Sequence, residues 1–323
     1  MRTASTRTAR AVAAAAALAL GALALTACGS SGADSGSGEL RLGYFPNLTH
    51  ATALVGVKEG FLQKSLGDTK LSTQTFNAGT SAVEALNAGA IDATYIGPNP
   101  AINSFVKSNG ESIRIISGAT SGGAAFVVQP EINSAEDLRG KVVDSPQLGN
   151  TQDVALRYWL DSKGLKTSVT GKGDVDVQST ENATILQLFQ DKKIAGAWVP
   201  EPWVSRLVTE GGGKVLVDEA TLWPKGQFVT TQLIVRTAYL KDHPDTIRAL
   251  LRGELKAIDY AASNPAEAKT SVNDSLKKLT GSSLPTTVID RAWGEQTMRA
   301  PSTNALSSSR IQSTSGASCA DAS

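Results

Sequence analysis

From Leu40 onward the chain alternates short apolar stretches with segments whose apolar residues recur three or four positions apart, and Gly, Pro or Asn marks each change of period. Leu40-Arg41-Leu42-Gly43-Tyr44-Phe45 alternates like a half-buried strand, and Pro46-Asn47 ends it. Thr49 to Val57 then predicts a helix, and Leu71 to Phe76 a second strand. Ser81-x-x-Glu84 reads as a capping box for a helix with Val83, Leu86 and Ala90 on one face. The run Ala93 to Ile96 is too short for a helix and stops at Gly97-Pro98, so it predicts a buried strand entering a tight turn. Asn99 as N-cap and Pro100 in the first turn then start a helix to Lys107. With a further strand over Ile113 to Ala119, the alternation predicts a parallel sheet covered on both faces.

The small-residue segment Thr120-Ser121-Gly122-Gly123-Ala124 opens a second half built the same way. Strands are predicted over Phe126–Gln129, around Val142-Val143, over Val175–Val177 and over Ile194–Val199. Ser134-x-x-Asp137 is a second capping box, Gln147 to Gln152 supply a loop and an N-cap for the helix Asp153–Lys163, and Thr180 caps a helix through Phe189. Lys193 to Pro202 repeats the layout of Gly89 to Pro100, a strand halted at a proline-bounded turn that begins a helix, here with Pro202 in its first turn. Lys214 to Val217 is another strand, and Phe228 to Val235 reads as a long strand returning to the first half.

The chain therefore crosses between halves twice, near Ser121–Ala125 and Gln227–Thr230, an arrangement that lets two lobes hinge. The expected organisation is a first lobe from 39–124, a second from 125–229 and a return to the first over 230–296. Pro244–Ala262, Pro265–Leu279 and Pro285–Trp293 have the spacing of packing helices. Past Gln296 the chain turns to Ser, Thr and Ala with isolated apolar residues, which predicts a disordered tail over 297–323.

The N-terminus does not belong to this pattern. Arg2, Arg7 and Arg10 precede the apolar run Ala11 to Leu25, the layout of a secretory signal over 1–27. The run falls short of the ~20 residues a membrane-spanning helix needs. Leu25-Thr26-Ala27-Cys28-Gly29 resembles the bacterial lipoprotein signal, which implies cleavage before Cys28 and a lipid on that cysteine. Residues 28–38, mostly Gly, Ser and Ala, then form a flexible tether, and the expected location is the extracytoplasmic face of a cell membrane, on the periplasmic side where an outer membrane exists. Without the three signal arginines the formal charge moves from +1 to −2, which argues against a nucleic-acid partner. Only Cys319 remains beside Cys28, so no disulfide is available and packing must stabilise a fold expected to be monomeric.

Catalytic patterns are weak. Ser104-x-x-Lys107 and Ser275-x-x-Lys278 match one motif of penicillin-recognising enzymes, but the companion Ser-Asp-Asn and Lys-Thr-Gly are missing. Neither His50 nor His243 sits in a zinc-like cluster, and no Gly-rich phosphate loop follows a strand. His50, near the first strand's end, reads as a packed histidine with a cleft-facing one as the alternative, and His243 as a surface cap. The predicted strand ends offer instead Phe45, Asn47, Thr49, Asn99, Thr120, Ser121, Gln147, Asn150, Thr151, Gln152, Glu201 and Trp203. Hydroxyls, amides and helix starts of this kind suit an oxyanion, with an apolar remainder against Phe45, Trp203 or Trp198.

Leu40-Arg41-Leu42-Gly43-Tyr44, Ala85-Leu86-Asn87-Ala88-Gly89-Ala90-Ile91-Asp92, Ser134 to Lys141 and Ala197-Trp198-Val199-Pro200-Glu201-Pro202, in this order, resemble the sulfonate/nitrate/taurine family of ABC-transporter substrate-binding proteins. The resemblance runs from about Leu40 to Glu295. It implies an α/β fold of the periplasmic-binding-protein-like type II class, two parallel-sheet lobes joined by two hinge crossings, with no cofactor, no metal and no catalysis. The implied partners are a small anionic or zwitterionic solute and membrane permease subunits, and the implied head-group site is the strand-end loops, which by position are Pro46 to Thr49, Gly97 to Asn99, Thr120 to Gly122, Gly149 to Gln152 and Glu201 to Trp203. Aliphatic sulfonate is the first ligand expectation, with nitrate, taurine or a thiamine-pyrimidine precursor as alternatives. Glu201 departs from a bare-sulfonate pocket: it suits an amine, or it caps its helix. A pyrimidine-precursor synthase on the same fold is the enzyme alternative, but those carry a cysteine-rich motif that Cys28 and Cys319 cannot supply.

Overall fold

The computed structural model describes residues 38–169 and 173–298; the expectations for the signal, for Cys28 and nearly all of its tether, and for the tail past Met298 lie outside the described residues. The first lobe is built from β1 (Glu39–Tyr44), α1 (Ala51–Lys58), α2 (Phe61–Leu66), β2 (Lys70–Thr75), α3 (Gly79–Asn87), β3 (Ala93–Ile96), α4 (Pro98–Lys107) and β4 (Ile113–Gly122). The second holds β5 (Ala124–Val128), β6 (Val142–Ser145), α5 (Thr151–Ser162), β7 (Asp176–Ser179), α6 (Asn182–Gln190), β8 (Gly196–Pro200), α7 (Trp203–Thr209) and β9 (Lys214–Asp218). The chain then returns through β10 (Val229–Arg236) to α8 (Thr237–Asp242), α9 (Pro244–Ser263), α10 (Pro265–Thr280), α11 (Thr286–Gly294) and β11 (Gln296–Met298).

Two sheets result, a six-stranded one in the order β11-β4-β10-β3-β1-β2 and a five-stranded one in the order β7-β6-β8-β5-β9. They are mixed rather than wholly parallel. Strands β1, β2 and β3 run parallel, as do β6, β7 and β8, but β10 is antiparallel to β3 and β4, and β5 is antiparallel to β8 and β9. The reason is the hinge. The strand that leaves a lobe and the strand that returns to it pass through the same place in opposite directions, so as neighbours they must pair antiparallel.

At that crossing Gly122 and Gly123 take φ of +78° and +75°, left-handed conformations that favour glycine. The Gly122 amide donates to the Phe228 carbonyl at 2.9 Å, and the Thr230 hydroxyl donates to the Gly122 carbonyl, tying the two crossing strands together. Strand β11 pairs along the same stretch, Gln296 opposite Gly122 and Met298 opposite Thr120. Regular structure thus runs two residues into the segment expected to be disordered, because the open edge of β4 offers free ladder partners.

Each lobe has its own core. In the first, Leu40, Leu42, Tyr95 and Leu233 of the sheet are buried beneath Leu54, Leu250 and Val272 of α1, α9 and α10. In the second, Phe126, Trp159 and Trp198 pack ring on ring with centroids 5.5–6.3 Å apart, and the Trp198 indole N–H donates to Glu219 at 2.7 Å. Trp198 is therefore a core residue with a satisfied polar handle, not a wall for a ligand. No helix among the described residues is long and apolar enough to cross a membrane.

Several helix starts differ from the sequence expectation. Helix α3 begins at Gly79 behind Ala78, so Ser81 and Glu84 lie inside it and form no box; α6 begins behind Glu181, not Thr180. Helix α4 begins at Pro98 behind an extended Gly97, leaving Asn99 within the first turn. Pro98 and Pro100 both suit a first turn because their fixed φ is helical, and the helix takes the earlier one.

Candidate functional site

The loops at the strand ends of both lobes converge on a closed cleft. Its inner compartment, about 40 Å³, is walled by Phe45, Asn47, Thr49 and His50 after β1 and by Asn77 to Gly79 at the start of α3. Gly97, Asn150 to Gln152 at the start of α5, Asn182 at the start of α6, and Thr230 and Thr231 on β10 complete it. By this measure one water needs ~10–15 Å³, so the compartment takes a head group of a few heavy atoms. None of its lining side chains carries a formal charge.

The α5 wall is the most firmly built. Asn150 caps the helix by accepting the Asp153 amide at 2.9 Å. The Asp153 carboxylate, 2% exposed, accepts the Gly149 amide at 2.9 Å, the Ser145 hydroxyl at 3.0 Å and Arg157 Nε at 2.9 Å. This fixes the loop from Ser145 to Asn150 against the first helical turn. Thr151 and Gln152, at positions where a helix leaves its amides without internal partners, then line the compartment, and the helix dipole adds positive potential there. Gly149, with φ +76°, shapes this loop without lining the compartment.

The start of α4 faces α5 but differs in kind. Pro98 and Pro100 have no N–H, and the Asn99 amide points to the Thr151 hydroxyl at 3.5 Å. Asn99 therefore links the lobes and does not line the compartment, contrary to expectation. The lobes approach so closely that a Cβ on Gly97 would sit 2.4 Å from that same hydroxyl. Two side-chain hydrogen bonds also span the cleft, Thr80 to Gln147 at 2.7 Å and the Trp203 indole to Asn47 at 3.2 Å.

His50 both packs and lines the compartment, the two roles the sequence reading offered for it. It is 3% exposed, stacks on Phe45 with centroids 4.6 Å apart, and accepts the Phe45 amide on Nδ1 at 3.3 Å. Burial pushes its pKa down to about 3, so it is neutral. With Nδ1 accepting, the proton belongs on Nε2, which makes the ring one more uncharged donor at the cleft.

The remaining expected residues serve elsewhere. Thr120 donates to the Thr49 carbonyl at 2.7 Å and holds the wall from behind, while Ser121 sits in the β4 ladder. Glu201 is fully buried, accepts the Ser205 amide at 3.0 Å and hydroxyl at 2.9 Å, and is pushed up to about 7 by burial. It lines a separate pocket beside the hinge with Arg291 and Glu295, not the cleft. Trp203 closes the cleft from outside, its ring facing the Arg206 guanidinium at 4.8 Å. Sequence reasoning missed Asn77, Asn182, Thr230 and Thr231. Asn182 leaves its Oδ1 buried and unpartnered, and Thr230-Thr231-Gln232, three polar residues in a central strand, is the signal that could have found the β10 wall. Among the described residues no group of three His, Cys, Asp or Glu is placed to hold a metal.

Comparisons with known proteins agree with this architecture. The taurine-binding periplasmic protein of Escherichia coli K12 is 26% identical over 193 residues, 59% of this chain and 57% of that protein. The alkanesulfonate-binding protein SsuA of Xanthomonas axonopodis pv. citri, solved with MOPS, superposes with a TM-score of 0.67 at 19% identity, covering 81% of this chain and 86% of that one. The periplasmic nitrate-binding protein NrtA of Synechocystis PCC 6803 superposes with a TM-score of 0.65 at 19% identity, covering 79% and 69%. These likenesses establish the two-lobed periplasmic-binding-protein-like fold. The NMT1-like family profile matches residues 33–273, most of the chain, and the protein belongs to the NMT1-like family.

Proposed function

We propose that the protein is the substrate-binding component of an ABC importer, a non-catalytic receptor whose lobes close on a small anionic or zwitterionic solute and offer it to permease subunits in the membrane. The observation that carries this reading is the inner compartment, walled by amides, hydroxyls, helix starts and a neutral imidazole without one charged side chain. Uncharged donors suit an oxyanion that stays deprotonated at every working pH, since each of its oxygens accepts and none has to donate. An aliphatic sulfonate meets this description, and the names of similar proteins, which include alkanesulfonate and taurine binders, support it.

Nitrate is the second reading, because a bare oxyanion fills a compartment of about 40 Å³ by itself. Taurine is disfavoured, since Glu201, the carboxylate expected to meet its amine, is bonded to Ser205 beside the hinge. A pyrimidine precursor fits less well in so small a space, and the enzyme alternative lacks its cysteines, of which the whole chain has two. Anchoring through a lipid on Cys28, and hence an extracytoplasmic location at the membrane surface, remains part of the reading. A Cys28→Ala chain expressed with a labelled fatty acid should carry no label and leave the membrane fraction.

The test of the function is a thermal-shift panel of alkanesulfonates, nitrate, taurine, bicarbonate and pyrimidines. A true ligand at 100 times its Kd stabilises the fold by about 2.7 kcal/mol. Stabilisation by sulfonates above all others supports the reading. Stabilisation by a pyrimidine alone, or turnover of any compound, refutes it.

A further inference from the structure

Asn47, Asn77 and Asn182 border two spaces at once, the inner compartment and a cavity of about 220 Å³ outside it. An asparagine in such a place can turn either end of its amide to a ligand, the oxygen that accepts or the NH2 that donates. An oxyanion is bound by the second and repelled by the first. Asn182 leaves its Oδ1 buried without a partner, but the amide of Asn47 is held. It lies 3.2 Å from Nε1 of Trp203, a residue that lines the outer cavity and not the inner compartment. An indole N–H donates and never accepts, so the end of Asn47 that meets Trp203 is its oxygen. Among the described residues the Asn47 NH2 has no hydrogen-bond partner. Trp203 is itself fixed: the Arg206 guanidinium lies over its ring at 4.8 Å and is bound by Glu210 at 2.9–3.2 Å.

We infer that Trp203 is a positioning residue: its indole draws the Asn47 oxygen outward and so turns the Asn47 NH2 into the inner compartment, which makes the site selective for a ligand that only accepts hydrogen bonds. The inference rests on the reading that an oxyanion occupies that compartment. Asn47 stands on the first lobe, in the loop after β1, and Trp203 on the second, at the start of α7, so the bond forms only when the lobes meet. Closure then does more than exclude water. A donor that is undirected in the open form is directed as the second lobe arrives, and it joins the His50 ring as an uncharged donor from the β1 loop.

Side-chain amide NMR of the full chain titrated with methanesulfonate tests this, with calorimetry of Trp203→Phe beside it. In the unaltered protein the Asn47 Nδ2 protons should shift saturably as the ligand binds. Trp203→Phe keeps a ring and removes the N–H, so that shift should fall by about half and methanesulfonate should bind about fivefold more weakly, the worth of one hydrogen bond. Methanesulfonamide, in which an NH2 donor replaces one sulfonate oxygen, separates positioning from a simple latch between the lobes. Loss of a latch weakens both compounds alike, whereas release of Asn47 should lower the preference for methanesulfonate over methanesulfonamide by about threefold or more. Saturable sulfonate binding with the Asn47 side chain unmoved, or a folded Trp203→Phe chain that keeps the full shift or the full preference, overturns the positioning role and leaves the head-group reading intact. Failure of every oxyanion to bind overturns both.

Discussion

The starts of α4 and α5 face each other across the cleft and look like the same device in sequence, a capping residue followed by a helix, yet they do opposite things. Helix α5 opens with Asn150-Thr151-Gln152, keeps its amides and has its loop locked by Asp153. Helix α4 opens with Pro98-Asn99-Pro100, lacks two of its first three amides and spends the third on Thr151. A helix terminus binds an anion only through donors that remain unspent, whatever its dipole. The start of α4 therefore brings little beyond Gly97 and Pro100 to the cleft, whereas the start of α5 brings Asn150, Thr151 and Gln152.

The comparison can be sharpened by pH, where the largest effect is expected. No Asp, Glu, Lys or Arg side chain lines the inner compartment, and His50 ionises only near pH 3, so ligand affinity should be flat from pH 5 to 8. Stability should not be. Burial pushes Glu219 and Glu254 up to about 8 and Glu201 to about 7, so the folded protein keeps protons that the unfolded chain releases near pH 4.5. Stability is then highest near pH 5 and falls by a few kcal/mol as pH rises toward 8. Chemical denaturation across that range measures it, and Glu254→Gln should flatten the fall.

Asp153→Ala comes next. It strands Arg157 and frees the Gly149 amide and the Ser145 hydroxyl, at a cost of about 3 kcal/mol in stability and most of the binding. Asn150→Ala removes a single cap, so urea denaturation should register about 1 kcal/mol, with a several-fold loss of affinity. Asn99→Ala should be the mildest change: within ~0.5 kcal/mol in stability and twofold in affinity, because only the backbone of Asn99 meets the other lobe. A large binding loss from Asn99→Ala would break the contrast between the two helices.

Much of the fold was legible because the strands follow periodicity alone. Ala93–Ile96 has the expected bounds, α9 and α10 start at Pro244 and Pro265 while α11 starts one residue past Pro285, and the return of β10 to the first sheet follows from one long alternating run. Strand direction was not legible, since alternation implies parallel pairing only where a helix makes the crossover, and the hinge strands cross without one. At the site, Phe45 to Thr49 and Asn150 to Gln152 were readable as polar loops ending strands. For Glu201 the sequence left two roles open, an amine partner or a helix cap, and its bonds to Ser205 one turn on are those of the cap. His50 stayed open between packing and the cleft for a similar reason: its stacking on Phe45 and its backbone bond depend on how the turn after β1 folds, which residue types do not disclose.

The central claim is that free amides at the start of α5 grip an oxyanion between the lobes. Amide NMR of the labelled protein during titration with methanesulfonate tests it most directly. The account predicts the largest saturable shifts at Thr151 and Gln152, with little change at Asn99. Saturable binding that leaves Thr151 and Gln152 unmoved, or shifts centred on Glu201 and the hinge pocket, would contradict it.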